Sequence, residues 1–106
     1  MADISFYLVF NLDEHYQLLG MLSLETDQGS IVPVFTTAEA ANKFLLAPAV
    51  QQLIAQGGGP KGVIEDKAAS FEAWLFRLRM IDRSTESVTY LLDTDPTCQD
   101  LFSQLG

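Results

Sequence analysis

The sequence predicts an α+β domain: a mostly antiparallel sheet of about four strands, with helices packed on one face. Three observations lead there. Runs of β-branched and aromatic residues recur at Ile4–Phe10, Ile31–Phe35 and Val88–Leu92. Between the second and third runs, capping residues and a 3.6-residue apolar rhythm mark helices. The chain has 106 residues, 48% of them hydrophobic, which suits one core closed without disulfide or metal. We therefore read residues 1–106 as one domain.

The first strand, Ile4–Phe10, ends at the polar break Asn11–His15. Tyr16–Leu24 is the second strand, and Gly20 within it marks a bulge or close packing. Glu25–Ser30 is a turn in which Gly29 is available for a positive φ. Ile31–Phe35 is the third strand. Pro33 lacks a backbone donor, which predicts an edge position or a bulge there.

Thr36 or Thr37 caps the next helix, and Thr36 with Glu39 has capping-box spacing. Ala38, Ala41, Phe44 and Leu45 make its apolar face. Pro48 predicts a break near Leu46–Ala47 and a second helical piece over Ala49–Gln56, with Val50, Leu53 and Ile54 at helical spacing. Gly57–Gly62 reads as a loop, and Val63–Ile64 as a short extended piece.

Residues 66–82 fit two patterns. Phe71, Trp74, Leu75, Leu78 and Ile81 recur as on a helix, while Trp74, Phe76, Leu78 and Met80 alternate as on a strand. Lys67–Ala69 are helix formers and Asp66 can cap, so a helix from Asp66 or Lys67 to Asp82 is preferred. A strand over Glu72–Ile81 is the alternative. Arg83–Ser87 is a turn, Val88–Leu92 the last strand, and Asp93–Pro96 its stop. Thr97–Leu105 is a closing helix with Leu101, Phe102 and Leu105 inward.

The segment Gly29–Thr37, followed by Ala38-Glu39-Ala40-Ala41, resembles the stretch of the SseB N-terminal domain family in which a strand ending Phe-Thr feeds a helix. Tyr90–Asp93 with Pro96 is loosely similar to that family's strand ending near Asn-Pro, with acids here in place of the Asn. The resemblance implies an α+β domain of undefined activity and carries over no catalytic residue.

Composition narrows the function classes. Fourteen acids against six bases give a net charge of -8, which opposes binding to phosphate backbones and to anionic membrane surfaces. We expect no nucleic-acid and no membrane partner. The lone Cys98 and the absence of a signal-peptide pattern point to a cytoplasmic protein.

No catalytic constellation is visible, and we expect no cofactor. His15 lacks the second His or Cys that a common zinc set needs, so it reads as an exposed turn residue. Asp93, Asp95 and Asp100 flank Cys98 and oppose a thiolate there. The same acids lack the EF-hand glycine and terminal glutamate, and read as turn and cap residues. Gly57 and Gly62 have the first spacing of a phosphate loop, but Val63 and Ile64 stand where Lys and Ser or Thr are required.

Two functional expectations follow. The first is a binding or protein–protein interaction domain, self-association included, with an apolar patch wherever Phe6, Tyr7, Phe10, Tyr16 and Tyr90 cannot all be buried. The second is a small-anion sensor or enzyme whose pocket gathers Lys61, Arg77 and Arg79, with Arg83 nearby. The bland reading of these arginines is surface pairing with acids such as Asp82 and Glu86.

Overall fold

A computed structural model describes residues 3–27, 29–81 and 88–105, apart from the side chains of residues 53 and 105. The elements in chain order are β1 (Ile4–Leu12), β2 (Leu18–Met21), β3 (Leu24–Thr26), β4 (Gly29–Phe35), α1 (Ala38–Leu45) and α2 (Pro48–Leu53). A π-helical turn (Ile54–Gly58) follows, then β5 (Lys61–Ala68), α3 (Phe71–Ile81), β6 (Val88–Leu92) and α4 (Pro96–Leu105). The fold is α+β, as the sequence predicts. The sheet is richer than predicted: six strands among the described residues, mixed rather than mostly antiparallel.

β1 and β4 are its axis. They pair antiparallel only at Tyr7–Phe35 and Leu8–Val34. Beyond that point they splay, and β2 and β3 line the fork, β2 against β1 and β3 against β4. The backbone N–H of Leu22, between β2 and β3, donates to the Val9 carbonyl at 2.8 Å. Pro33 is the next residue of β4 beyond the last β1–β4 pair, opposite Val9. Its missing donor falls where the partner carbonyl is already taken. Pro33 is thus accommodated inside the sheet rather than on an edge strand, which corrects the expectation.

β5 runs antiparallel to β1 in eight registered pairs, from Ile4–Ala68 to Asn11–Lys61. β6 joins the far side of β4 in parallel, from Ser30–Val88 to Val34–Leu92. β5 and β6 are therefore the two outer strands.

Helices cover both faces, not one. On the first face Phe6, Leu8, Val32 and Val34 pack with Tyr90 against Trp74 of α3. On the second, Val9 and Phe35 meet Ala41 and Phe44 of α1, Val50 of α2 and Phe102 of α4. The alternation of strand side chains explains the division: even positions of β1 and β4 face α3, odd positions face the other three helices.

Local chemistry sets the helix starts. Thr37 rather than Thr36 caps α1, its hydroxyl accepting from the Ala40 N–H at 3.1 Å. Pro48 opens α2 at its first turn, where no donor is needed. Over Phe71–Ile81 the helical pattern holds and the strand alternative does not, but α3 begins at Phe71 rather than Asp66 or Lys67, and the Ser70 hydroxyl accepts from the Ala73 N–H at 3.1 Å. Asp66 is not the cap; it lies within β5. The Gly57–Gly62 loop is also revised, since Gly57 and Gly58 belong to the π-helical turn and Lys61 and Gly62 to β5. The expected turn Arg83–Ser87, with Asp82, lies outside the described residues, as do the inward placements of Leu53 and Leu105.

Candidate functional site

β5 anchors α3 by a polar clamp. Asp66 faces α3, and one of its carboxylate oxygens accepts from the Trp74 indole N–H at 2.9 Å and from Arg77 Nη2 at 3.0 Å. The same Arg77 nitrogen donates to the Lys67 carbonyl at 3.0 Å. Trp74 itself is buried and stacks on Phe71 at 6.0 Å, with Tyr90 edge-on at 5.7 Å. The inward side of α3 is thereby fixed in rotation.

Fixing that side determines what points away. Glu72, Leu75, Phe76, Arg79 and Met80 line a shallow outward hollow of about 530 Å³ on α3. Phe76 is 69% exposed, Met80 72% and Ile81 79%. A buried Phe or Met side chain gains roughly 1.5–3 kcal/mol over an exposed one, so leaving several in water on one helix is a cost that the fold does not recover. Glu72 and Arg79 have no salt-bridge partner among the described residues.

Another surface lies on the opposite face. Phe35, Phe44 and Phe102 pack together with centroids 5.3–5.7 Å apart, Phe35 stacked on Phe102 and Phe44 tilted to both, on one wall of a cleft of about 520 Å³ between α1 and α4. Lys43, Asp93 and Gln99 supply its polar edge. Asp93 is buried and already engaged: one oxygen accepts from the Thr36 N–H at 3.2 Å and its hydroxyl at 3.0 Å, and its carbonyl accepts from the Gln99 amide. Near the β1–β2 hairpin, Tyr16, Leu18 and Leu19 are exposed. Leu19 is the extra residue of a bulge, because β2 takes two steps from Gly20 to Leu18 while β1 takes one from Asn11 to Leu12.

The predicted basic residues do not converge. Lys61 pairs with Asn11 and lies on the sheet face of α1 and α2, beside Leu22, Leu24 and Val50. Its ammonium donates to the Gly59 carbonyl at 3.2 Å, and burial lowers its pKa from the ordinary lysine value. Arg77 is on the opposite face, held by Asp66 rather than by Asp82 or Glu86. Arg79 stands on the outward side of α3. Arg83 lies outside the described residues.

His15 is an exposed turn residue within 3.5 Å of Glu14, in a turn whose N–H groups at 15 and 17 are held by the Asp13 carboxylate. Cys98 is fully buried in α4, and burial first, then Asp95 and Asp93, push its thiol up to about 11. Among the described residues no three of His, Cys, Asp and Glu are grouped to hold a metal ion. No helix there is long and apolar enough to cross a membrane.

Of the aromatics expected to compete for the core, Phe6 and Tyr90 are buried, Tyr7 and Phe10 half-buried, and Tyr16 exposed. The sequence reading did not single out Phe76 and Met80. Their signal was present: they made residues 74–80 alternate like a strand. On a helix held by Trp74 and Leu78, that extra apolar pair must face outward.

Comparison with known proteins adds little. No family model matches the chain, and no curated protein matches it. Among solved structures, Anabaena Tic22, described as protein transport, is similar with a TM-score of 0.49 and 14% identity. The likeness covers 100% of this chain and 42% of that one, so the chain spans less than half of that protein's length. At that score it carries no argument about function.

Proposed function

We propose that this chain is a non-enzymatic protein-interaction domain that docks through the outward side of α3. One observation carries the reading: Phe76 and Met80 are exposed together on a helix whose rotation is fixed by Trp74 and Arg77 on Asp66. An apolar surface flanked by charge on a rigid element is what a docking face needs. The sheet supplies the scaffold and α3 supplies the contact. The SseB-like reading of the β4–α1 segment and the cytoplasmic setting belong to the same proposal, and neither asks for a catalytic residue. The net charge of -8 sets it against nucleic-acid partners.

The alternative, a small-anion sensor or enzyme at Lys61, Arg77 and Arg79, is less well supported. It needs those bases on one ligand, and the sheet stands between Lys61 and Arg77.

Site-specific photo-cross-linking tests the proposal. A photoreactive side chain at position 76 is expected to give discrete adducts with a protein chain, which the same group at exposed Thr94 does not give. Equal or absent adducts from the two positions would overturn it.

A further inference from the structure

The outward side of α3 carries charges of opposite sign toward opposite ends. Glu72 is in its first turn and Arg79 in its last, seven residues apart, or about 10 Å along the axis. Residues 72, 76 and 79 fall within about 60° of one another around a helix of 3.6 residues per turn. The midpoint between the two charges falls between Leu75 and Phe76. Arg77, the other base of this helix, is occupied by Asp66.

Such a face is complementary to itself in one orientation only. Laid antiparallel on a second α3 about a two-fold axis, Glu72 of each copy meets Arg79 of the other, the two Phe76 side chains meet near the axis, and each Met80 lies beyond Arg79 toward an end of the contact. Laid parallel, Glu72 would meet Glu72 and Arg79 would meet Arg79. The like-charge contacts disfavour that register and leave the antiparallel one.

We propose that the partner of the α3 surface is a second copy of this chain, bound by antiparallel α3–α3 packing about a two-fold axis. The proposal rests on the interaction-domain reading above and names its partner. An eleven-residue helix is about 16 Å long, and one face of it covers less than the roughly 800 Å² per partner of a standard interface. The dimer is therefore weak and exchanges with monomer in the micromolar range or above.

Sedimentation equilibrium from about 10 μM to about 1 mM brackets such an association. The native chain is expected to pass from monomer to dimer and stop there, since a two-fold contact closes. F76D should remain monomeric. Each of E72R and R79E places like charges at two symmetric contacts and should raise the dissociation constant about tenfold. The double variant E72R/R79E restores opposite charges and should return it to within about threefold of the native value. These side chains are exposed, and far-UV circular dichroism checks that each variant keeps its helices.

A native chain that stays monomeric throughout overturns the dimer. If position 76 still cross-links to a different protein, the interaction-domain reading survives that result and the self-pairing does not. A native dimer that both single variants weaken and the double variant fails to restore overturns the antiparallel arrangement.

Discussion

Asp66 shows how much one residue's meaning depends on its partners. Read from the sequence it is a helix cap; in the fold it is the acceptor that sets the rotation of α3. Two donors share one of its oxygens, the Trp74 indole and the Arg77 guanidinium. D66A leaves the indole N–H of the buried Trp74 without its acceptor and should cost about 1–3 kcal/mol in urea unfolding. Trp74 is the chain's one tryptophan, so its fluorescence reports the same change directly. An unchanged midpoint would mean that apolar packing alone sets the helix. Cys98 gives a prediction in pH. Its thiol has an ordinary value of 9.0 and is pushed up to about 11 in the fold. Below pH 9 both states hold the proton and the group contributes nothing to stability. Between about 9 and 11 the unfolded chain loses its proton first, so stability falls with rising pH and levels off above 11. The loss amounts to roughly 2–3 kcal/mol, and C98A should abolish this part of the alkaline decline. Equal alkaline slopes for the native chain and C98A would contradict the buried, neutral thiol.

Elements were legible where a local signal and the tertiary partner agree. Pro48 splits α1 from α2 by covalent geometry, whatever packs around it. Val88–Leu92 opens with three strand-favouring residues, Val88, Thr89 and Tyr90, and became β6 over the same span. β5 was not legible. Its residues 65–68 include two acids and a lysine, and its last residues favour helix, yet eight registered pairs with β1 hold it extended. The two sides of this outer strand also differ: Glu65 accepts from the Tyr7 hydroxyl at 3.2 Å, while Asp66 turns toward α3. Hydroxyls of Ser5 and Tyr7 hold the Glu65 carboxyl below its ordinary pKa. The candidate site was hidden for a related reason. Phe76 and Met80 read as core residues in any pattern, and only the clamp on the opposite side of α3 shows that they face water. The hairpin glycines separate propensity from geometry. Gly29 has φ +109, where a side chain is strained, whereas a Cβ on Gly20 meets nothing within 4 Å. G29A should destabilise by about 1 kcal/mol or more, and G20A should stay within about 0.5 kcal/mol of the parent or gain slightly. Equal losses in thermal unfolding would mean that the bulged β2 strand needs its glycine after all.

At the scale of the whole molecule, charge opposes a fold that apolar layers hold together. The two cores on either side of the sheet contain little but carbon, and among the described residues Asp93 is the one buried acid of a chain with fourteen acids and six bases. Only two ion pairs form among the described residues, Arg77–Asp66 and the exposed His15–Glu14. Surface pairs of this kind contribute about 0–1 kcal/mol each, too little to offset the mutual repulsion of eight net negative charges. The radius of gyration is 13.6 Å, so most acids are separated by more than the Debye length of about 10 Å at 0.1 M salt. Salt therefore removes the long-range repulsion while leaving the 3.0 Å contact of Arg77 with Asp66 largely in place. Raising sodium chloride from about 10 mM to about 150 mM should stabilise the monomer by about 1 kcal/mol, or roughly 4–8 °C in Tm for a domain of this size. The measurement belongs on F76D, where dimer formation does not add its own concentration-dependent stabilisation. A Tm that falls with salt would show instead that attractive pairs dominate the surface, and the acidic charge would then be arranged rather than merely abundant.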